Sequence, residues 1–165
     1  MDYYDKHADT YISTTVSVDM SEQYKLFLPY IPKGGMILDA GCGSGRDSLE
    51  FLKLGYRVEA FDISEAMVAS AQALTGLSVR KLSFQELDYK GVFDGIWACA
   101  SLLHVPKTEL SQVFSLLHKA LKPQGILYCS FKDREEDYST DGRFFSCFTA
   151  QSFQTFLREL SLFEP

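Results

Sequence analysis

Short apolar runs alternate along the chain with stretches where apolar residues recur every three or four positions. The runs lie at Met36 to Leu38, Tyr56 to Phe61, Ser78 to Leu82, Phe93 to Ser101 and Ile126 to Phe131. Bounded by turn residues, they read as buried strands. The periodic stretches read as helices over Met20–Tyr30, Ser44–Leu54, from a Ser64 cap through Ala73, from Lys107 onward, and over Ala150–Leu160 behind a Thr149 cap. The Lys107 helix carries Leu110, Val113, Phe114, Leu117 and Leu121 on one face. Asp19 with Glu22 suggests a capping box for the first helix. Pro29, Pro32 and Gly34-Gly35 close that helix, and Lys122-Pro123-Gln124-Gly125 ends the one before the fifth strand. Strand and helix in alternation predict an α/β fold, a parallel sheet wound on both faces through right-handed crossovers. Residues 1–20 show little periodicity, Phe84–Lys90 is an irregular crossing, and Lys132–Cys147 is a long charged, aromatic loop.

The first strand ends in an acid and three glycines at alternate positions, Asp39-Ala40-Gly41-Cys42-Gly43-Ser44-Gly45. Glycines there let the backbone turn off the strand and let a ligand approach closely. The helix that follows aims its unpaired amides and positive dipole end at the same place. The second strand ends at Asp62, where an ionised carboxylate accepts from ribose hydroxyls. The plainer alternatives are a tight turn and a helix-entry acid. A dinucleotide fingerprint reads G-x-G-x-x-G, and this spacing differs from it.

The run from Asp39 to Gly45 resembles motif I of the class I S-adenosylmethionine-dependent methyltransferases. Phe93-Asp94-Gly95-Ile96-Trp97-Ala98 is similar to that family's fourth-strand run, and Leu121-Lys122-Pro123-Gln124-Gly125-Ile126-Leu127 to its turn before strand five. More narrowly, Gly45-Arg46-Asp47, Gly55-Tyr56, Ser101-Leu102-Leu103-His104 and Gly142-Arg143-Phe144 resemble small bacterial methyltransferases related to the tellurite-resistance type. The resemblance implies a single Rossmann-like domain over 1–165 that binds S-adenosylmethionine and releases S-adenosylhomocysteine. It places Gly41, Cys42, Gly43 and the loop amides at the methionine moiety, behind Asp39. It puts Asp62 on the ribose, Ile63 and Met67 on the adenine, and Ala98 near the sulfonium. At the adenine amine the family has an acid and an apolar residue, and here Ser83 and Phe84 stand there. Tyr11, with Tyr3 or Tyr4, either folds over the pocket or packs in a mobile arm over 1–20.

One departure from the family is plain. Its sheet has seven strands, and this sequence stops at Leu162-Phe163-Glu164-Pro165, where the sixth would begin. Five strands are expected here, with the last two family strands missing and the fifth an open edge. Such an edge invites pairing with another chain. The expectation is a homodimer or swapped arrangement, or else a shortened chain of reduced stability.

Composition narrows the partners. A length of 165 residues, 46% hydrophobic, fits one domain with a sizeable core. Net charge is −6 with no basic run, which argues against a nucleic-acid surface. No apolar stretch is long enough to span a membrane, and Met1-Asp2-Tyr3-Tyr4-Asp5 lacks signal-peptide character. Cys42, Cys99, Cys129 and Cys147 show no paired spacing and read as free thiols of a cytoplasmic protein, with no metal site.

Methyl transfer to a small-molecule acceptor mainly needs alignment, with a base only where the nucleophile carries a proton. His104 follows strand four, at the sheet edge where open α/β folds hold ligands, and is the candidate base. The alternative is that it anchors the Pro106 turn. Arg143, with Lys132 and Arg134, is the candidate for an anionic substrate, the alternative being local ion pairs. Arg46 either meets the cofactor carboxylate or pairs with Asp47 or Glu50. The competing functional readings are a non-catalytic methyltransferase-like binding domain and a nicotinamide dehydrogenase.

Overall fold

The computed structural model describes residues 2–164. The chain opens with two short helices, α1 (Asp2–Lys6) and α2 (Ala8–Thr15), then α3 (Ser21–Phe27) and a 3-10 turn, Leu28–Tyr30. Strand and helix then alternate: β1 (Met36–Ala40), α4 (Arg46–Lys53), β2 (Arg57–Asp62), α5 (Glu65–Thr75), β3 (Arg80–Lys81), β4 (Phe93–Ala98), α6 (Lys107–Ala120) and β5 (Leu121–Cys129). A small hairpin, β6 (Tyr138–Thr140) and β7 (Arg143–Phe145), precedes α7 (Ala150–Leu160).

The first five strands form one parallel sheet in the order β3-β2-β1-β4-β5, and β6 and β7 pair antiparallel apart from it. From β1 the chain winds outward to β3, then crosses back to β4 on β1's other side. That reversal opens a crevice at the carboxyl ends of β1 and β4, where sheets of this kind hold ligands. β5 forms the sheet's other edge, as the sequence led us to expect.

Side-chain alternation distributes two cores. Ile37, Val58 and Trp97 face α3 and α4 with Phe27, Ile31 and Phe51. Leu38, Ala40, Phe61, Ile96 and Ala98 face the opposite way, onto α6. There Phe114 is ringed by Phe153, Phe156 and Phe163 at 5.3–6.3 Å between centroids. Each fully buried side chain of this size contributes about 1.5–3 kcal/mol, so these two faces hold α3, α4, α6 and α7 to the sheet. Gly95 lets two elements meet: a Cβ there would lie 2.4 Å from Ile31 Cδ1 and 2.5 Å from Phe27 Cζ.

Several local expectations need correction. The Asp19–Glu22 capping box does not form. Asp19 accepts from the Ser21 amide, Met20 is the cap residue, and Glu22 instead pairs with Lys25. β5 begins at Leu121 rather than Ile126, because Leu121 pairs with Phe93. The register then shifts, and Gln124 turns through φ +64° before Ile126 aligns with Gly95. The loop after β5 contains the hairpin, and residues 2–15 are largely helical.

Candidate active site

The crevice deepens into a cavity of about 390 Å³ at the carboxyl edge of the sheet. Four connections build its floor: those after β1, β2, β3 and β4. α1 and α2 cover it, and the turn into β7 closes one side.

The glycine turn is clasped to the end of β2. Gly41 and Cys42 amides donate to the Phe61 carbonyl at 3.0 and 2.9 Å, and the Gly43 amide donates to Asp62 Oδ2 at 2.9 Å. Gly45 donates to the Cys42 carbonyl. These four amides are engaged within the protein. The glycines supply room instead. Gly41 has φ +75°, and a Cβ there would sit 2.5 Å from Ser101 Cβ, so only glycine lets the β1 and β4 connections meet. Gly43 has φ +54°, and a Cβ would face only the Tyr11 ring at 3.8 Å, so the missing side chain leaves cavity space.

Asp62 also accepts from the Ser64 amide at 2.9 Å, which holds its carboxylate at the cavity wall. Burial pushes its pKa up from the ordinary carboxylate value, against the three backbone amides that pull it down. Ser64 caps α5 by accepting from the Met67 amide and donates to Asp5. Ile63, Met67 and Phe84 line this end, with Phe84 edge-on to Phe61 at 5.2 Å. Ser83 reaches the wall, but its hydroxyl donates to Glu86 in its own turn.

Asp39 lies behind the turn, 2% exposed, and accepts from Ser48 at 2.6 Å. Burial first, and then the neighbouring Asp47, push its pKa up. Asp47 is the hub that reading the sequence missed. It accepts from Tyr24, Trp97 and, through both oxygens, Arg46. Of the alternatives for Arg46, the pair with Asp47 is the one observed. Arg46 still borders the cavity and also donates to the Thr15 carbonyl. Ala98 does not line the cavity. It points into the α6 side of the core, and Cys99 and Ala100 form the wall. Burial pushes the Cys99 thiol up to about 11, so it stays protonated at neutral pH.

At the far end His104 meets two partners. Its Nδ1 lies 2.8 Å from the Phe144 carbonyl and its Nε2 lies 2.8 Å from the Tyr4 hydroxyl. A carbonyl only accepts, so Nδ1 carries the proton and Nε2 accepts from Tyr4. The ring thus ties the β4 connection to β7 and α1, rather than anchoring the Pro106 turn. Burial lowers its pKa below the ordinary histidine value, and the nearby charges of Arg143 and Lys132 push the same way. The Arg143 guanidinium stacks 4.2 Å over Tyr3, and its Nε is buried without a hydrogen-bond partner. Lys132 and Arg134 do not border the cavity. Lys132 bridges to Cys147, and Arg134 stacks over Tyr138 at 4.5 Å. Tyr3, Tyr4 and Tyr11 all line the cavity, so the arm covers it. Besides the Tyr4–His104 bond, Asp5 accepts from Ser64 and Ala66 at the start of α5, and the Thr15 carbonyl accepts from Arg46.

Comparison with known proteins now decides the family. Residues 37–125 match the model of the methyltransferase domain family. The chain belongs to the class I S-adenosylmethionine-dependent methyltransferases. This methyltransferase domain is 33% identical over 116 residues to YqeM of Bacillus subtilis strain 168, a protein described as a methyltransferase, covering 64% of this chain and 47% of that one. It is 32% identical over 110 residues to a ubiquinone biosynthesis O-methyltransferase of Xanthomonas axonopodis, covering 62% and 45%. The chain thus spans about half the length of the curated relatives it matches. Among solved structures, it superposes with a TM-score of 0.78 on the Burkholderia thailandensis 1,6-didemethyltoxoflavin-N1-methyltransferase, solved with bound 1,6-didemethyltoxoflavin and S-adenosylhomocysteine. That match covers 96% of this chain and 72% of the other at 23% identity, and it shows the shared fold.

The residues present suit the family's cofactor. The methyltransferase has a carboxylate held at the wall, an apolar slot beside it, and a glycine turn that leaves space where a side chain would intrude. No helix is long and apolar enough to cross a membrane among the described residues.

Proposed function

We propose that this chain transfers a methyl group from S-adenosylmethionine to a small-molecule acceptor. The observation that carries this is one continuous cavity. It joins Asp62, Met67 and Phe84 at one end to His104 and Arg143 at the other. When bound, the cofactor supplies a methyl group already activated by the sulfonium charge.

The chain's own residues then have separable roles. Asp62 accepts from the ribose hydroxyls with the lone pairs left over from Gly43 and Ser64. Ile63, Met67 and Phe84 flank the adenine, and Ser83 offers it no carboxylate. Gly41, Cys42, Gly43 and Arg46 shape the slot for the amino-acid end, with Asp39 and Asp47 fixing that turn from behind. His104, neutral and with Nε2 unprotonated, takes a proton from the acceptor. Arg143 holds the acceptor's negative charge. α1 and α2 exclude water over the pair. Orientation of this kind contributes roughly 7–11 kcal/mol in favourable cases. The acidic chain acts in the cytoplasm, and the outer edge of β5 is where a second copy would pair.

Isothermal titration with S-adenosylmethionine and S-adenosylhomocysteine, on the chain and on Asp62→Ala, tests the cofactor site. Micromolar binding abolished by the substitution supports the reading, and conversion of one ligand to the other with an added acceptor establishes turnover. A folded chain that gives no heat would leave a binding domain for some other partner as the better account. Light scattering at the mass of one chain would remove the β5 pairing.

A further inference from the structure

The far end of the cavity already holds a phenol, supplied by the protein itself. The Tyr4 hydroxyl donates to His104 Nε2 at 2.8 Å, the atom left unprotonated by the Phe144 carbonyl. Burial raises the pKa of this hydroxyl and keeps it neutral, and Arg143, which approaches the same hydroxyl, works against that rise. The Tyr4 ring stands in a cage of flat groups, edge-on to Tyr3 at 5.5 Å, Tyr11 at 5.0 Å and His104 at 5.6 Å. Arg143 carries a buried N–H without a partner, at Nε, while its Nη2 reaches Asp141 at 3.5 Å. An ionised carboxylate only accepts and has no proton to give to an unprotonated nitrogen. The unprotonated His104 Nε2 beside the Arg143 cation suits an oxygen that arrives as a hydroxyl and gives up its proton.

We propose that the acceptor is an acidic hydroxyl on a flat conjugated ring, a phenol or enol, and that Tyr4 is its tethered stand-in, displaced from His104 and Arg143 when the acceptor enters. This rests on the methyl-transfer reading and narrows its acceptor class. The acceptor oxygen gives its proton to His104 Nε2 and forms the new bond to the methyl carbon. The electron pair of the broken carbon–sulfur bond stays on sulfur, leaving a neutral thioether. The imidazolium then returns its proton to water. Tyr4 is a specificity element in this account, since it competes with the acceptor and reaches His104 from a helix of only five residues, Asp2–Lys6.

p-Nitrophenol tests this without turnover, because its ionised form is yellow and reports both binding and charge. Tyr4→Ala is expected to bind p-nitrophenol about tenfold tighter than the unaltered chain, the scale of one freed charge-assisted hydrogen bond. The bound form should be enriched in phenolate, and adding Arg143→Gln to Tyr4→Ala should abolish that gain. Benzoate and toluene serve as comparisons. No gain in Tyr4→Ala, or an equal gain for benzoate or toluene, overturns the proposal. S-Adenosylhomocysteine titration of each variant separates the two readings. S-Adenosylhomocysteine binding without the p-nitrophenol gain refutes the acceptor class alone, whereas absence of that binding from the unaltered chain refutes the methyl-transfer reading. Should Tyr4→Ala lose that binding, Tyr4→Phe keeps the ring packing and must show the gain in its place.

Discussion

Asp47→Asn probes the hub on which the cavity floor and its cover both rest. Asp47 accepts from Tyr24 at 2.6 Å, from Arg46 at 2.7 and 2.9 Å, and from Trp97 Nε1 at 2.8 Å. Its side chain is 8% exposed and that of Arg46 is 22% exposed, so water cannot readily replace a lost partner. Asparagine offers one acceptor oxygen and turns an amide group toward the remaining donors. Breaking a buried pair from one side costs about 3–5 kcal/mol. Relief of the repulsion between Asp47 and Asp39 returns part of that, and a net loss of roughly 2–4 kcal/mol is expected. A domain of this size holds about 5–15 kcal/mol in total, and the midpoint should fall by roughly 5–15 °C. The single tryptophan, Trp97, is fully buried, bonded to Asp47 and stacked on Tyr128 at 4.0 Å, so its fluorescence follows the transition directly. Arg46 also holds the end of α2 through Thr15, so faster amide exchange over α2 should accompany the loss. An unchanged midpoint with unchanged Trp97 emission would refute the assignment of Asp47 as the hub.

Four further outcomes follow from the same geometry. Because burial lowers the His104 pKa, the base is free at neutral pH, and the acid limb of kcat/KM should lie below the ordinary value of 6.5. A limb above that value, or one that His104→Gln leaves in place, contradicts the role. The same shift means the unfolded chain binds this proton more readily, so stability should fall as pH drops below 6.5. Gly41→Ala should cost roughly 2–4 kcal/mol in thermal unfolding, from the left-handed backbone and the overlap with Ser101. Adding Ser101→Gly should recover the overlap but not the backbone part, and full recovery would show the strain to be absent. Ser64→Ala removes the α5 cap and one of the two hydrogen bonds that Asp5 of α1 accepts there. It should cost about 1 kcal/mol and speed amide exchange in α1, and an exchange rate that does not change would place the anchor elsewhere.

The parts legible in the sequence were those whose cause is local. The alternation of apolar runs and periodic stretches gave the order of strands and helices. The glycine turn after β1 and the acid ending β2 announced themselves because a tight exit from a strand needs residues of those kinds side by side. Ser64 and Thr149 were readable as caps because a cap bonds three residues onward. The Asp19–Glu22 pair obeyed the same local rule and still failed, since Lys25 on the next turn competes for Glu22. Asp47 carried no signal of its own: its importance comes from Tyr24 and Trp97, which lie on other elements.

By itself, then, the sequence determined the α/β alternation, the cofactor-type turn, and which residues could bear charge or a proton. Only the tertiary structure decided how they meet. Tyr4 and His104 are separated by 100 positions and share a hydrogen bond. Asp5 reaches across to the start of α5, and the β6–β7 hairpin presents both Phe144 and Arg143 to the cavity. The physical reason is that the helices over residues 2–15 are short and, apart from their aromatics, carry little apolar pattern. Their position is set by polar contacts to distant partners, and only the folded sheet brings those partners within reach.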